Sequence, residues 1–211
     1  EANLGYRDIR NSPGSVDAET GVLWNAVAQA YYVDRAFVAR FRGNLVRGFA
    51  LPFPHSSIWF REAGGFSPQN PSQPFANFFF GGFGNNYVDH GEEKRYREYY
   101  SLPGAELNEI GGRNFLKSMV EINLPPLRFL RLGSPGFFIP WMRPAVFATG
   151  LATNLDDDPT RHVVFNGGGQ LDFHISFLSA LDMTLSIGGA MAFENGEAPR
   201  REVMISLKVL R

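Results

Sequence analysis

Between Val163 and Phe177 the chain alternates strictly. Phe165, Gly167, Gly169, Leu171, Phe173, Ile175 and Phe177 hold one parity, and Asn166, Gly168, Gln170, Asp172, His174 and Ser176 hold the other. Successive side chains of a strand point to opposite faces, so this pattern predicts a β-strand with one greasy and one hydrophilic face. After a tight turn near Ser179-Ala180 the code resumes, with Leu181, Met183, Leu185, Ile187, Met191 and Phe193 set against Asp182, Thr184, Ser186, Gly188, Ala190 and Ala192. Beyond ENGEAPRR, Val203, Ile205, Leu207 and Val209 oppose Met204, Ser206, Lys208 and Leu210. Upstream, Phe37, Phe41 and Leu45 alternate with Val38, Arg40, Arg42 and Asn44, and Leu116, Val120, Ile122 and Leu124 alternate with Lys117, Met119, Glu121 and Asn123. Residues 3–10, 21–33, 56–66 and 137–152 are strand candidates of less clear parity. The reading is an all-β antiparallel meander of about nine long strands, well beyond the ~5–6 residues usual for strands in soluble proteins.

Length bears on the setting of these strands. A membrane-spanning strand takes about 9–11 alternating residues, apolar toward lipid and polar toward the lumen. A soluble sandwich or lipocalin carries the same alternation with its faces exchanged. Periodicity alone does not separate the two. The polar parity here mixes Gln, Asp, His, Lys, Glu, Arg and Asn with Gly and Ala, which suits a wet, crowded lumen. This favours a transmembrane β-barrel, and a soluble β-sandwich binding module is the alternative.

Composition narrows the functions. The 20 basic and 21 acidic residues nearly cancel, so no global field draws the chain to nucleic acid. There is no cysteine, which removes thiol catalysis and cysteine-ligated metals. No apolar run approaches the roughly 20 residues of a spanning helix. The chain starts at Glu1 without an initiator methionine or leader, as expected of a processed protein or a piece of a longer one. Aromatic residues such as Trp24, Tyr31, Tyr32, Trp59, Phe60, Phe137, Phe138 and Trp141 gather near predicted strand ends, where interfacial girdles of a barrel would lie.

Enzyme and metal chemistry find little support. His55, His90, His162 and His174 fall on separate segments without metal-ligand spacing. Asp156-Asp157-Asp158 ends in Pro159 and reads as a solvated turn. GGFGNN at 81–86 is followed by neither a helix pattern nor Lys-Ser/Thr, and no nucleophile elbow occurs. The expectation is no catalytic residue, no metal and no cofactor. Charge instead collects in EEKRYRE (92–98), inside the long loop 67–112.

In order along the chain come FFFGGFGNN, RYREYYSLPG, IGGRNFLKSMVEINLP, RPAVFATGLATNL, FNGGGQLDF and REVMISLKVLR. This order resembles the C-terminal end of the bacterial surface antigen superfamily, the outer-membrane barrels that include the BamA and TamA assembly factors. The resemblance covers about two thirds of the chain. It implies a bacterial outer-membrane location, with lipid and client polypeptides or upstream periplasmic domains as partners. It also implies a role in membrane anchoring or in insertion or passage of polypeptides. Family barrels have sixteen strands, so residues 1–211 would be one barrel domain forming the C-terminal part, its loop 67–112 folded into or over the lumen. Carried over, Arg97 takes the place of the loop arginine, paired with inward Glu121 first and Asp172 second. Arg95 is the substitute if the register is off by two, and Gly167, Gly168 and Gly169 match the glycine-rich strand. Glu98 replaces a motif glycine, Ala148 replaces an aspartate that helps hold the arginine, and the end Leu210-Arg211 lacks the usual aromatic residue. These departures imply a degenerate barrel appended to another module in place of a dedicated insertase; a structural or pore-forming barrel without an assembly role is the alternative function.

Overall fold

A computed structural model describes residues 1–33, 36–69, 73–84, 94–134, 136–178 and 181–210. The turn at Ser179-Ala180, the ends of GGFGNN and of the chain (Asn85, Asn86, Arg211), His90, and Glu92-Glu93 of the charged run lie outside the described residues. The strands, in chain order, are β1 (Ala2–Arg10), β2 (Thr20–Val33), β3 (Ala36–Ala50), β4 (Ser57–Phe66), β5 (Phe78–Phe80), β6 (Ile110–Gly112), β7 (Asn114–Asn123), β8 (Leu127–Arg128), β9 (Gly133–Ser134), β10 (Phe137–Thr153), β11 (His162–Phe177), β12 (Leu181–Glu194) and β13 (Arg200–Leu210). The main sheet is antiparallel and runs β1-β2-β3-β4-β7-β10-β11-β12-β13, with β8 and β9 paired to β10. β5 and β6 form a separate two-stranded sheet within the loop between β4 and β7.

Two expectations are corrected. The main sheet has 11 strands, because the connection from β7 to β10 adds two short strands that carry no alternation to read. The sheet is also not closed as a barrel: among the described residues β1 and β13 are its two ends and are not paired. The geometry gives a reason. A closed barrel of about eight strands has an interior only wide enough for side chains, whereas this sheet holds a folded loop on its concave face. Curvature wide enough for that loop leaves β1 and β13 unpaired among the described residues.

The parities sort onto the two faces as the sequence pattern divides them. On β11, Asn166, Gln170 and Asp172 are buried, while Phe165 is 60% exposed. On β13, Val203 and Ile205 are 78% and 73% exposed. Leu4, Trp24, Phe41, Leu45, Phe60, Phe66, Leu116, Val146 and Ile187 also stand exposed on this apolar face. The hydrophobic core lies instead between the loop and the concave face. Phe78 and Phe80 of the loop pack edge-on against Phe115 of β7, with Leu102, Ile110, Leu151 and Val164 around them. A second cluster joins Phe83 and Tyr96 to Met119, Ala145, Phe147 and Ala190.

Small residues on the concave face of β11 and β12 seat this loop. Tyr96 stacks on Phe147 at 4.2 Å, and the Phe147 ring covers Gly168, where a Cβ would come within 2.8 Å of that ring and of the Ala190 Cβ. Gly104 lies directly on the backbone of β12, and a Cβ there would sit 2.6 Å from the Ala192 nitrogen. Its φ of +96 also suits glycine alone. Gly167 has open room on the other face of the strand, its nearest neighbour being the Phe147 carbonyl at 3.7 Å. The close fit within the glycine-rich strand therefore falls on Gly168.

Candidate functional site

The meander sets the site's geometry. The β1–β2 turn lies at one end of the sheet and the loop between β4 and β7 at the other, yet the two meet inside. From Lys94 the loop climbs beside β7. Lys94 Nζ reaches Asn123 Oδ1, Arg97 reaches Glu121, and Lys117 Nζ donates to the carbonyls of Tyr99 (3.1 Å) and Ser101 (2.5 Å).

Arg97 ends a single 3-10 turn, Arg95–Arg97. Its Nε donates to Glu121 Oε2 at 2.9 Å and its Nη2 to Glu121 Oε1 at 2.5 Å, a two-pronged contact that a planar guanidinium is shaped to make. Glu121 is fully buried and also accepts from Arg61 Nε (3.1 Å) and Lys94 Nζ (3.3 Å). Arg97 Nη2 further donates to Asp17 Oδ2 at 2.8 Å, and Lys94 Nζ lies 3.1 Å from the same oxygen. Arg143 of β10 carries the network on. It donates to the Val16 carbonyl (3.1 Å), lies 3.4 Å from Asp17 and donates to Asp172 Oδ2 (3.0 Å). Asp172 is completed by Gln170 Nε2 (2.6 Å) and Ser186 Oγ (2.7 Å).

The expected residues are thus placed as follows. Arg97 and Glu121 come together directly. Asp172 belongs to the same network but pairs with Arg143, reaching Arg97 only through Asp17. Arg95 bonds Glu98 at 2.6 Å, so Glu98, three residues along, occupies Arg95 and leaves Arg97 to the wall. Ala148 is exposed on the outer face, and the inward neighbour there is Phe147 beneath Tyr96. The carboxylate that helps hold the arginine is Asp17, from a turn 80 residues away in sequence. Asp17, Arg61 and Arg143 were not legible as site residues. Only the inward parity of Arg61 and Arg143 could have signalled the latter two.

Charge in this cluster is mutually stabilised. Burial by itself would raise the Asp17 carboxyl, but Arg97, Lys94 and Arg143 hold it well below the usual range. Burial, reinforced by Arg97 and Arg143, lowers Lys94 to about 8 against the pull of Glu121 and Asp17. Arg97 is raised, the attraction of Glu121 and Asp17 outweighing its desolvation. Ions this deep are costly to bury and are sustained only by such pairing.

Further contacts fasten the loop. Glu202 of β13 accepts from the amides of Phe83 (3.1 Å) and Gly104 (2.9 Å), and Asn166 Nδ2 donates to the Pro103 carbonyl (2.7 Å). Tyr99 Oη reaches the Gly43 and Gly64 carbonyls at 3.1 and 3.3 Å. Beside the loop, along β1–β4, a cavity of about 790 Å³ remains. At the opposite rim Ser12, Glu19 and His55 gather, but Ser12 Oγ (3.3 Å) and Glu19 Oε1 (3.0 Å) both approach His55 Nδ1. A nucleophile relay needs those partners on different ring nitrogens. Among the described residues no group of three His, Asp or Glu is placed to hold a metal ion.

No protein-family model, curated protein or solved structure matches this chain.

Proposed function

We propose that the chain is part of the wall of an outer-membrane β-barrel similar to those of the surface antigen superfamily. In this reading it anchors in the membrane or serves insertion or passage of polypeptides, and the loop between β4 and β7 is its lumen plug. The single observation carrying the reading is the distribution of polarity. The long strands turn exposed Phe, Leu, Ile and Val outward and bury Asn, Gln, Glu and Asp beneath the loop. An apolar surface of this extent is unusual in water but is the face a barrel offers to lipid. The Arg97–Glu121 contact supports a holding role, because those groups are saturated by one another. In lipid the unpaired edges of β1 and β13 would each be costly, so further strands, upstream or from partner chains, would complete the wall.

Membrane partition tests this reading. The chain should require detergent, and single cysteines carrying a fluorophore at Val203 or Ile205 should be quenched by brominated lipid, whereas ones at Ser206 or Lys208 should not. A chain that stays soluble and monomeric without detergent would overturn it. The second reading, a structural or pore-forming barrel without an assembly role, is favoured by the cavity beside the plug. In the completed barrel, a disulfide between the last strand and its closing neighbour would block client insertion under the first reading and leave conductance unchanged under the second.

A further inference from the structure

The plug covers the concave face unevenly. It packs mainly on β7 and β10–β13, touching β3 and β4 through Tyr99, and the cavity opens over β1–β4, lined by Arg7, Arg42, Arg61 and Arg97 and by two carboxylates already paired, Asp17 with Arg97 and Lys94 and Glu98 with Arg95. Two of these arginines are committed: Arg61 to Glu121, and Arg97 to Glu121 and Asp17. Arg7 and Arg42 form no ion pair among the described residues. Arg42 is nevertheless held in place. Its Nη1 donates to Tyr100 Oη at 3.0 Å, and its guanidinium lies 5.1 Å from the Tyr99 ring centre and 5.7 Å from that of Tyr100. Its Nε is buried without a hydrogen-bond partner, as is Asn44 Oδ1 two residues along the same face. A half-turn of that amide would offer N–H in place of the oxygen. A guanidinium orientated by Tyr99 and Tyr100 and carrying no carboxylate partner among the described residues suits a carboxylate or phosphate in the cavity.

Register fixes the spacing of the two free charges. Arg42 faces Val27, which faces Asn3 on β1, while Arg7 faces Leu23, which faces Val46 on β3. Arg7 and Arg42 therefore stand four residues apart along the strands and two strands apart across them, roughly 16 Å between Cα atoms at the usual rise and strand spacing. A single small anion cannot touch both.

We propose that this cavity binds an extended acidic peptide segment, whose same-face carboxylates are taken in turn by Arg42 and Arg7. The site rests on the concave face itself and not on the membrane reading, so the two can fail separately. The test is anisotropy titration of the full 211-residue chain in zwitterionic detergent with a labelled peptide bearing glutamate at every fourth position. The expected result is saturable binding that weakens with salt, and loss of about tenfold in affinity for each of Arg42→Gln and Arg7→Gln, the cost of one charge-assisted hydrogen bond. Arg131→Gln, at an exposed position away from the cavity, should bind as the parent does. Arg7 is exposed on an edge strand, so Arg7→Gln keeps the test decisive if Arg42→Gln does not fold. Equal binding of a lysine peptide, an unchanged affinity in Arg7→Gln, or inorganic phosphate binding as tightly as the peptide would each overturn the proposal.

Discussion

Arg97 grips Glu121 with two nitrogens while its Nη2 also reaches Asp17, so one side chain ties a loop from one end of the sheet to a turn from the other. Glu121 is the common acceptor for Arg97, Arg61 and Lys94. Glu121→Gln should leave these cations under-compensated in a buried site and destabilise the chain by about 3–5 kcal/mol, measured by urea unfolding in detergent. Combining Arg97→Met with Glu121→Leu should cost less than the sum of the single changes, with a coupling of about 0.5–3 kcal/mol. Strict additivity would show that the contact does not hold the loop.

Acid should loosen the lock through Asp17. Its folded carboxyl lies below the ordinary value of 3.8, so its stabilisation is complete above that value and drains away as pH falls from there through the folded value. Hydrogen-exchange protection, taken relative to the intrinsic rate at each pH, should therefore fall at the amides of residues 94–104 below about pH 4. Asp17→Asn should exchange faster at neutral pH and show a flatter response over the same range.

Lys94 acts in the same sense, but in an alkaline window. Its folded value of about 8 lies below the ordinary 10.5, so between those values the unfolded chain binds more protons than the folded one. This group's contribution to stability rises as pH climbs through that window. Unfolding curves of the parent and of Lys94→Met, compared at pH 8 and pH 10.5, should differ by an amount that shifts in the parent's favour as pH increases.

Gly168 and Gly167 make a paired test of the seat beneath the plug. Gly168→Ala forces a methyl against Phe147 and the Ala190 Cβ, and should cost about 1–3 kcal/mol through overpacking. Gly167→Ala meets nothing nearer than 3.7 Å and should stay within about 0.5 kcal/mol of the parent. Equal effects would place the constraint in backbone flexibility and not in the aromatic stack.

Strand positions were legible because each long strand writes its own alternation. The regions read at 163–177, 181–193 and 137–152 are β11, β12 and β10 within a residue or two. Alternation alone does not show which parity faces outward, since it serves a sheet greasy inside or greasy outside; the mix of charged and amide residues with Gly and Ala points the polar parity inward, and Gln170 and Asp172 are buried where Phe165 is exposed. The outward position of Ala148 was not legible, because β10 contains Pro140 and Pro144 and an irregularity between Phe138 and Trp141, which obscure its parity. Arg97 with Glu121 could be anticipated from the order of segments along the chain. Asp17 could not, because an aspartate in a turn of NSPGSVDAET carries no sign that the turn bends inward.

The two amides held by Glu202 have a mechanical consequence. Glu202 stands on β13, which ends the sheet among the described residues, and it grips the loop at Phe83 and Gly104. Any displacement of that strand is thus a displacement of two anchor points of the loop. Movement of the sheet's last strand and release of the loop from the concave face are geared to one carboxylate.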